Sequence, residues 1–367
     1  MHEGREIRVI VLGPPLDRSG GIGSLYTYAA PYFPDWVEVK FIDTRGYRKN
    51  PFFSIIPLLK AIVILSNAKR KKSVDLIHVN FGSRGSALRK SVLINFAVNI
   101  LNLKVVAQSH ASTFEKFFSG QPHFVKMNIV RTLNRCTRIL VLGESSREMF
   151  MRIGIRREIL HVFRMGVPDL KLALPIQNVQ KSKESVANIK TILFAGELSS
   201  RKGLPELIQT TVSTRSDIRY IVAGSGNLSD WKKLALEFGV LEKIAFVGLV
   251  PYSAIQFYLQ YADALILPSR AEGLPVSVLE ALSAGVVPIV TLAGNLGDIL
   301  NSENSFIIND VSQIGILQAI KEFNTVFESQ AMVQFSSKSR QIWSDLFDAK
   351  KTTEVLADHW LKATQSG

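Results

Sequence analysis

The stretch from Ala264 to Gly285 constrains the fold more than any other part of this chain. A short apolar run, Ala264–Leu267, leads into the sequence PSRAEGLPVSVLEALSAG. Pro275 suits the first turn of a helix, where a missing N–H costs nothing, and the apolar residues after it recur with helical spacing. A buried strand that passes through a polar loop into a helix is the unit from which parallel α/β sheets are built.

The start of this predicted helix offers groups that suit a sugar nucleotide. The first amides of a helix have no acceptor within it, so those of Val276–Val278 are expected to point toward an anion. Gly273 lets a ligand approach the backbone closely because it has no Cβ. Helical side chains lean toward the N-terminus, so the carboxylate of Glu280 can reach back to the same place. With Glu272 on the preceding loop, these groups would hold a diphosphate and hydroxyl groups.

Length and composition bound the class of protein. A chain of 367 residues is long enough for two domains, and an apolar fraction of 47% is typical of globular proteins. The single cysteine, Cys136, excludes an internal disulfide and fits a reducing compartment. The polar start, residues 1–6, predicts no signal peptide, and no apolar run is long enough to span a membrane. We therefore expect a cytoplasmic protein.

Charge is distributed unevenly along the chain. Residues 1–185 contain 29 Lys and Arg against 13 Asp and Glu, whereas residues 186–367 contain 15 against 18. This asymmetry suggests that the two halves meet different partners, although a solvated basic surface would give the same counts. The pattern of residues 52–67 predicts an apolar helix, and four basic residues follow it at 69–72. Such a helix would suit the anionic inner face of a membrane, or it would simply cover a sheet.

Strand and helix patterns alternate in both halves, which predicts an α/β protein with two doubly wound parallel sheets. The polar, irregular residues 169–189 are the expected linker, so the domains are predicted at 1–170 and 190–345. Ligands bind beyond the carboxyl ends of parallel strands. The residues that follow the predicted strands are therefore the candidates for a site.

Three segments in the first half follow predicted strands. Gly21 and Gly23 lie in a loop that matches neither a dinucleotide fingerprint nor a P-loop, so neither NAD nor ATP is inferred. Arg84 and Arg89 follow the third strand and would hold an anionic or lipid-phosphate acceptor, unless they are only polar residues at a helix start. His110 follows the fourth strand. A lone histidine is more often structural, but this position favours a role in a site.

The second half carries further candidates after its strands. Arg201 and Lys202 precede a helix start, where cations would reinforce the helix dipole in holding phosphate. Gly224 lies in the turn after the next strand, and Val250 follows the strand after that. As alternatives, Arg201 and Lys202 would be a basic pair on the surface, and the segments of Gly224 and Val250 would be ordinary strand-to-helix turns.

Together these motifs resemble retaining glycosyltransferases of family 4. Glu272 and Glu280 match the E-x7-E signature, the sequence GPPLDRSGGIG resembles the first glycine loop, and Lys202 matches the lysine of the G-R-x-x-x-x-K-G loop. Two departures are Glu197, which replaces the usual arginine, and Met165, which stands where the family has a polar residue. The resemblance implies the GT-B fold, in which two Rossmann-like domains face each other across a cleft and the last helix, here 350–363, crosses back onto the first domain.

The resemblance implies a retaining transfer of a hexosyl unit from a nucleotide sugar to a glycan or lipid-linked acceptor in polysaccharide or glycoconjugate biosynthesis, and the donor is expected to be a UDP-sugar. Glu272, His110 and Lys202 would be the catalytic residues, with Glu280 on the ribose. The donor would contact Gly21, Gly23, Arg201, Lys202, Gly224, Val250, Gly273, Leu274, Pro275, Val276, Ser277 and Glu280. No metal or other cofactor is expected, because cations and amides would stabilise the leaving diphosphate and no DxD motif or His/Cys cluster is present.

Other functions remain open at this point. An epimerase that acts on sugar nucleotides without hydrolysing them would use the same fold and convert a UDP-sugar without an acceptor. A non-catalytic subunit would bind the nucleotide sugar without turnover, and the departures at Glu197 and Met165 fit this alternative. Nucleic-acid binding would follow from the basic half alone, but no recognised motif supports it.

Overall fold

The structure is a computed structural model, and it describes residues 6–14, 16, 21–44, 55–82, 85–110, 113–171, 189–327, 329 and 331–366. The chain divides into two compact units. The first comprises Met1–Gly166 together with Ala349–Gly367, and the second comprises Val167–Asp348. The first unit thus ends shortly before residue 170, the boundary expected from the sequence, and it includes the C-terminal helix.

The first unit is a six-stranded parallel sheet with helices between its strands. Its strands are β1 Ile7–Gly13, β2 Val37–Asp43, β3 Leu76–Phe81, β4 Lys104–Ser109, β5 Arg138–Val141 and β6 Leu160–Val162. Its helices are α1 Gly21–Ala29, α2 Ile55–Arg70, α3 Gly85–Asn95, α4 Phe114–Ser119, α5 His123–Leu133, α6 Glu144–Arg152 and the C-terminal α13 Ala349–Gln365.

The strand order of the first sheet is β2-β1-β3-β4-β5-β6. Its central strands β1, β3 and β4 are buried along nearly their whole length, as expected for strands covered on both faces. The core includes a cluster of aromatic rings, in which Phe114 lies 5.8 Å from Phe81 and 5.0 Å from Phe150 between ring centroids. The strand order reverses between β1 and β3, which makes this position the topological switch point of the sheet.

The second unit contains a second six-stranded parallel sheet. Its strands are β7 Lys190–Ala195, β8 Ile218–Ala223, β9 Ile244–Gly248, β10 Ala264–Leu267, β11 Val287–Val290 and β12 Phe306–Ile307. Its helices are α7 Leu204–Thr210, α8 Leu228–Glu237, α9 Tyr252–Tyr261, α10 Val276–Ala284, α11 Gln313–Phe327 and α12 Ala331–Leu346.

The second sheet has the strand order β12-β11-β10-β7-β8-β9. Strand β7 pairs in parallel with β10 on one side and with β8 on the other, so its topological switch point lies between β7 and β10. All four residues of β10 are fully buried, and α10 buries Val278 and Leu282 beneath the sheet. The prediction of two doubly wound parallel sheets is confirmed.

None of the helices in the described residues is both long and apolar enough to cross a bilayer.

Candidate functional site

The candidate site of the second unit lies at the topological switch point of its sheet. The loop after β7 carries residues 196–203, and the loop after β10 carries residues 268–275. Because β7 and β10 are neighbours and parallel, their carboxyl ends open at the same edge of the sheet. Ligands of doubly wound sheets bind at such edges. The two loops that the sequence singled out for phosphate and sugar binding are therefore brought together.

Lys202 and Glu272 form an ion pair at the centre of these loops. The Nζ atom of Lys202 donates a hydrogen bond to Oε1 of Glu272. Only 8% of Lys202 and 7% of Glu272 is exposed, so both charges are largely removed from water. Two charges that are buried together require each other, because either one alone would keep its full desolvation cost. The pair therefore holds an ammonium and a carboxylate at fixed positions beside the switch point.

Arg201 reinforces the same corner from a more exposed position. Its Nη1 atom lies 3.9 Å from Oε1 of Glu272 and donates to the carbonyl of Ala271 at 2.8 Å. Its Nη2 atom donates to Oε2 of Glu197 at 3.0 Å. Glu197, which stands where the family usually has arginine, is thus the ion-pair partner of Arg201, and the site retains two cations next to Glu272.

Close backbone approaches fix the two loops against their neighbours. Gly203 has φ 71°, and a Cβ atom there would lie 2.1 Å from the carbonyl oxygen of Pro268. Gly294 has φ 69°, and a Cβ atom there would lie 1.9 Å from the carbonyl oxygen of Glu272. Only glycine fits both the dihedral angle and the space at these positions. The backbone of Glu272 is therefore held by the loop after β11, which carries none of the predicted site residues.

The loop from Gly273 to Pro275 leads into α10 as predicted, with Pro275 as the residue before the helix. The amide and the side-chain Nδ2 of Asn295 both donate to the carbonyl of Gly273 at 3.1 Å. This use of Asn295 was missed, because nothing local in the sequence connects the loop after β11 with Gly273. A polar residue after an adjacent strand was the only available signal.

The start of α10 differs in one detail from the prediction. Three amides, those of Val276, Ser277 and Val278, were expected to be available for an anion. The amide of Val278 instead donates to the carbonyl of Pro275 at 3.1 Å, which tightens the first turn. The amides of Val276 and Ser277 remain those that the helix cannot satisfy internally. Glu280 lies one turn further along α10 and is buried.

Gly224 and Val250, two further residues predicted to contact the donor, lie at different distances from the switch point. Gly224 follows β8, and a Cβ atom there would lie 1.6 Å from the carbonyl oxygen of Gly196, which follows β7. A Cβ on Gly196 would in turn lie 3.6 Å from the side chain of Lys202. Val250 follows β9, at the edge of the sheet and two strands away from β7. The structure thus brings Gly224 near the ion pair but leaves Val250 on the outer side.

The candidates of the first unit lie around its own switch point. Gly21 and Gly23 form the first turn of α1, and Gly23 is buried. His110 follows β4, and its Nε2 atom lies 2.7 Å from Oδ1 of Asn80 near the end of β3. Burial lowers the pKa of His110 to about 4, so its ring is neutral at pH 7. Asn80 was not among the predicted site residues.

The basic candidates of this unit are Arg84 and Arg89. Arg84 lies outside the described residues. Arg89 lies on α3, and its Nε atom is buried without a hydrogen-bond partner among the residues that the structure describes. The neighbouring Lys90 is buried, donates to the carbonyl of Leu12 at 3.2 Å and contacts Oγ1 of Thr44. Burial, together with the charge of Arg89, lowers the pKa of Lys90 to about 7.

Across the described ranges, no three His, Cys, Asp or Glu side chains are grouped so that they could hold a metal ion. Cys136 is a buried free thiol, and burial raises the pKa of that thiol to about 12. The chemistry available at the two sheet edges is therefore that of cations, carboxylates, backbone amides and a neutral imidazole.

Comparison with known proteins gives a consistent result. Residues 176–333 match the family described as glycosyl transferases group 1. An uncharacterized glycosyltransferase of Methanocaldococcus jannaschii is 32% identical over 31% of this chain, and the match spans only 30% of that protein. A GDP-mannose:cellobiosyl-diphosphopolyprenol alpha-mannosyltransferase of Xanthomonas oryzae is 26% identical over 76% of this chain and 72% of its own length.

A solved structure shows the same fold over nearly the whole chain. The crystal structure of HepE from Anabaena in complex with UDP-glucose has a TM-score of 0.76 and 18% identity, and it covers 97% of this chain and 100% of its own. The fold expected from the resemblance is thereby confirmed, and the family match and the named relatives agree with the expected enzyme class. The family to which this chain is similar, through residues 176–333, is thus glycosyl transferases group 1.

Proposed function

We propose that this protein transfers a hexosyl unit from a UDP-sugar, with retention of configuration, to a glycan or lipid-linked acceptor. The observation that carries this proposal is the cluster at the switch point of the second sheet. There the ammonium of Lys202, the carboxylate of Glu272 and the first turn of α10 all belong to the loops after β7 and β10. This set offers positive groups for a diphosphate and carboxylates for hydroxyl groups.

In the proposed reaction, the bond between the anomeric carbon and the diphosphate oxygen breaks, and the acceptor oxygen forms a new bond to that carbon on the same face. The proton of the acceptor hydroxyl passes to the departing diphosphate. Negative charge grows on the diphosphate as it leaves, so Lys202, Arg201 and the amides of Val276 and Ser277 would stabilise the transition state more than the ground state. No metal or other cofactor takes part in this scheme.

The two carboxylates would bind the hydroxyl groups of the two sugars in the donor, the ribose and the transferred sugar. Glu280 is buried on α10 and would accept hydrogen bonds from the ribose diol. Glu272 would hold hydroxyl groups of the transferred sugar and steady the positive charge that develops on its ring. The contacts of Glu272 with Lys202 and Arg201 hold its carboxylate in place for this role.

The named donors of similar proteins support this choice without deciding it. The HepE structure contains UDP-glucose, whereas the Xanthomonas relative is named for GDP-mannose and for an acceptor on a diphosphopolyprenol. The experiment is therefore a thermal-unfolding screen with UDP-, GDP- and ADP-sugars, followed by turnover assays with polyprenyl-diphosphate-linked saccharides. We expect a UDP-sugar to raise the unfolding temperature most and to release UDP only when the acceptor is present.

The same assay separates the alternatives. Conversion of a UDP-sugar into its epimer without an acceptor would establish an epimerase, and binding without any turnover would establish a non-catalytic subunit. Chelation with EDTA tests the cofactor proposal. We expect turnover to persist in EDTA, and a loss that added Mg²⁺ or Mn²⁺ restores would contradict the metal-free scheme.

We also propose that the first unit contacts an anionic membrane surface through α2. One face of this helix packs inward through Ala61 and Leu65. The opposite face presents Ile56, Leu59 and Val63, which follow helical spacing and are each more than half exposed. Exposed apolar side chains in such a row are unusual on a protein surface that meets only water.

Charge next to this face favours an anionic bilayer as the partner. Lys60 is exposed on the same helix, and Lys69–Lys72 are exposed at its end. Each cation near an anionic lipid surface adds about 1 kcal/mol to binding. If the acceptor is linked to a lipid, this face would bring the first unit, which carries the candidate acceptor residues, to the membrane that holds the acceptor.

Vesicle sedimentation tests the membrane proposal. We expect binding to vesicles of phosphatidylcholine and phosphatidylglycerol, little binding to phosphatidylcholine alone, and about tenfold weaker binding for Leu59→Gln combined with Val63→Gln. Leu236→Gln removes an equally exposed apolar residue from α8 and serves as the control. Binding that is equal for both lipid compositions, or unchanged by the α2 substitutions, would contradict the proposal.

A further inference from the structure

Two arginines join the loop after β7 to the loop after β10 in the second unit. Nη1 of Arg270, in the loop after β10, donates to the carbonyl of Ser200 at 2.7 Å. Nη1 of Arg201, in the loop after β7, donates to the carbonyl of Ala271 at 2.8 Å. A carbonyl oxygen can only accept, so the direction of both bonds is fixed. Each guanidinium therefore holds the backbone of the opposite loop.

The backbone of Arg270 makes a further connection between these loops. Its amide donates at 2.9 Å to the carbonyl of Arg201, which belongs to the peptide bond that leads into Lys202. The carbonyl of Ala271, which Arg201 holds, belongs to the peptide bond that leads into Glu272. Because a peptide unit is planar, a bond to its carbonyl also restrains the direction of the chain at the next residue. The connections between the loops therefore orient the backbone at both members of the ion pair.

A bidentate ion pair holds the Arg270 side chain in this position. Its Nη2 atom donates to Oε1 of Glu206 at 2.8 Å, and its Nη1 atom donates to Oε2 at 3.3 Å. Two bonds between a guanidinium and a carboxylate fix an orientation as well as a distance. Glu206 lies in the first turn of α7, the helix that follows Lys202. The pair thus ties the start of this helix to the loop after β10.

The partners of Arg270 favour a role in geometry over a role in overall stability. The side chains of Arg270 and Glu206 are 43% and 23% exposed, and exposed ion pairs contribute little to the free energy of unfolding. Yet Arg270 contacts the loop after β7, the first turn of α7 and, through the carbonyl of Val311 at 3.3 Å, the segment before α11. One side chain therefore holds three segments next to the ion pair.

We propose that Arg270 is a positioning residue that fixes Lys202 and Glu272 relative to each other, so that the ammonium is held where a diphosphate binds. The assignment of this diphosphate to a nucleotide sugar rests on the proposed function, whereas the connection between the loops does not. Removal of Arg270 would leave both charged groups in the protein but would allow them to move apart. A displacement of about 1 Å can reduce the effect of a positioned group by about 10²-fold.

Amide hydrogen exchange in the ligand-free protein tests the connection between the loops. We expect exchange in residues 196–203 and 268–275 to become at least about tenfold faster in Arg270→Ala and to be unchanged in Arg215→Ala. Arg215 is the matched control, because it forms an exposed ion pair with Asp217 of the same unit at 3.1 Å. Unchanged exchange of both loops in Arg270→Ala would overturn the proposal, whatever the substrate of the protein.

Calorimetric titration with UDP and with uridine tests the consequence at the site. We expect Arg270→Ala to weaken UDP binding about tenfold and to leave the affinity for uridine, which lacks the diphosphate, unchanged. The unfolding temperature should fall by less than about 3 °C, because the lost ion pair is exposed. A loss of affinity that is equal for UDP and uridine would indicate general damage to the unit and would overturn the positioning role.

The variant Arg270→Lys separates position from charge. Lysine keeps the positive charge but lacks the planar fork that reaches Glu206 and the carbonyl of Ser200 together. We therefore expect Arg270→Lys to bind UDP nearly as weakly as Arg270→Ala. Full recovery of UDP affinity in Arg270→Lys would show that charge alone supports binding, and this result would overturn the proposal.

Substitution of Glu206 separates positioning from direct contact with the ligand. If Arg270 acts by position, Glu206→Ala should also weaken UDP binding, and the double variant should bind no more weakly than Arg270→Ala, because both side chains act through one contact. Stronger UDP binding by Glu206→Ala would show that a released Arg270 contacts the diphosphate itself. Additive losses would show that the two residues act independently, and either result would overturn the proposal.

The two kinds of measurement distinguish failure of this proposal from failure of the proposed function. A wild-type protein that does not bind UDP would contradict the proposed function, and faster exchange in Arg270→Ala would still support the connection between the loops. Faster exchange with unchanged UDP affinity would overturn the positioning role and leave the proposed function intact. If Arg270→Ala fails to fold, Arg270→Lys and Glu206→Ala provide the same comparisons.

Discussion

The ammonium of Lys202 donates directly to the carboxylate of Glu272, although the two residues are 70 positions apart in the chain. Each follows a different strand, and the neighbours β7 and β10 bring them to the same edge of the sheet. The pair is buried, so it keeps a cation and an anion in place before any ligand arrives. Preorganised charge of this kind costs no rearrangement during a reaction.

The first prediction concerns this pair. Lys202→Ala should lower kcat by about 10²–10³, the usual cost of removing one group that stabilises developing charge. It should also lower the free energy of unfolding by about 3–5 kcal/mol, because Glu272 would remain as a buried charge that has lost its partner. Steady-state kinetics and urea unfolding measure the two effects separately.

The double variant Lys202→Ala with Glu272→Ala is the matched control for this prediction. It removes both buried charges, so it should regain part of the lost stability while remaining inactive. If the double variant is less stable than Lys202→Ala by the full cost of a second independent substitution, the two side chains do not interact as described.

The second prediction concerns the backbone that supports Glu272. Gly294→Ala should destabilise the protein by several kcal/mol and weaken UDP binding, because the new Cβ atom would collide with the carbonyl of Glu272. Gly239→Ala is a control with nearly the same dihedral angle, φ 66°, and no atom within 4 Å of the new Cβ. It should cost only about 1–2 kcal/mol, the strain of a left-handed conformation. Equal effects of the two substitutions would exclude the close approach.

The third prediction concerns acid stability. The pKa values of His78 and His110 are lowered by burial to about 3 and about 4, whereas both titrate near 6.5 in an unfolded chain. Between these values the unfolded chain binds more protons, so stability is complete above pH 6.5 and falls as the pH is lowered toward 4. Each histidine contributes a slope of about 1.4 kcal/mol per pH unit in this range.

Unfolding by urea at a series of pH values checks this slope. His110→Asn should reduce this slope by about 1.4 kcal/mol per pH unit, which corresponds to one proton. A slope that His110→Asn does not alter would show that this ring titrates normally in the folded protein.

The sequence supported the fold and the centre of the site, but not the contacts that hold the site together. Buried strands and helical spacing are local signals, so the two sheets and the segments carrying Lys202 and Glu272 were predictable. Asn295 and Asn80 act through residues on other strands, and such contacts depend on strand order, which local patterns do not encode. The pairing of Arg201 with Glu197 was not predicted, because the sequence showed Glu197 only as a departure from the family pattern.

The amide of Val278 was mispredicted for a related reason. The number of available amides at a helix start depends on whether the first turn closes with bonds between residues three or four apart. Pro275 and its neighbours do not reveal this choice in the sequence. The structure shows the tighter bond at Val278, and two amides remain for the proposed diphosphate.

The central claim is that α10 and its flanking carboxylates bind a nucleoside diphosphate, with Glu280 on the ribose. Its most direct test is calorimetric titration of UDP into the wild type and Glu280→Ala, with Glu237→Ala, at an exposed glutamate of α8, as the control. We predict a Kd about 10–100 times higher for Glu280→Ala, the cost of a hydrogen bond to a charged group, and an unchanged Kd for Glu237→Ala. A Glu280→Ala protein that stays folded and binds UDP as tightly as the wild type would contradict the claim.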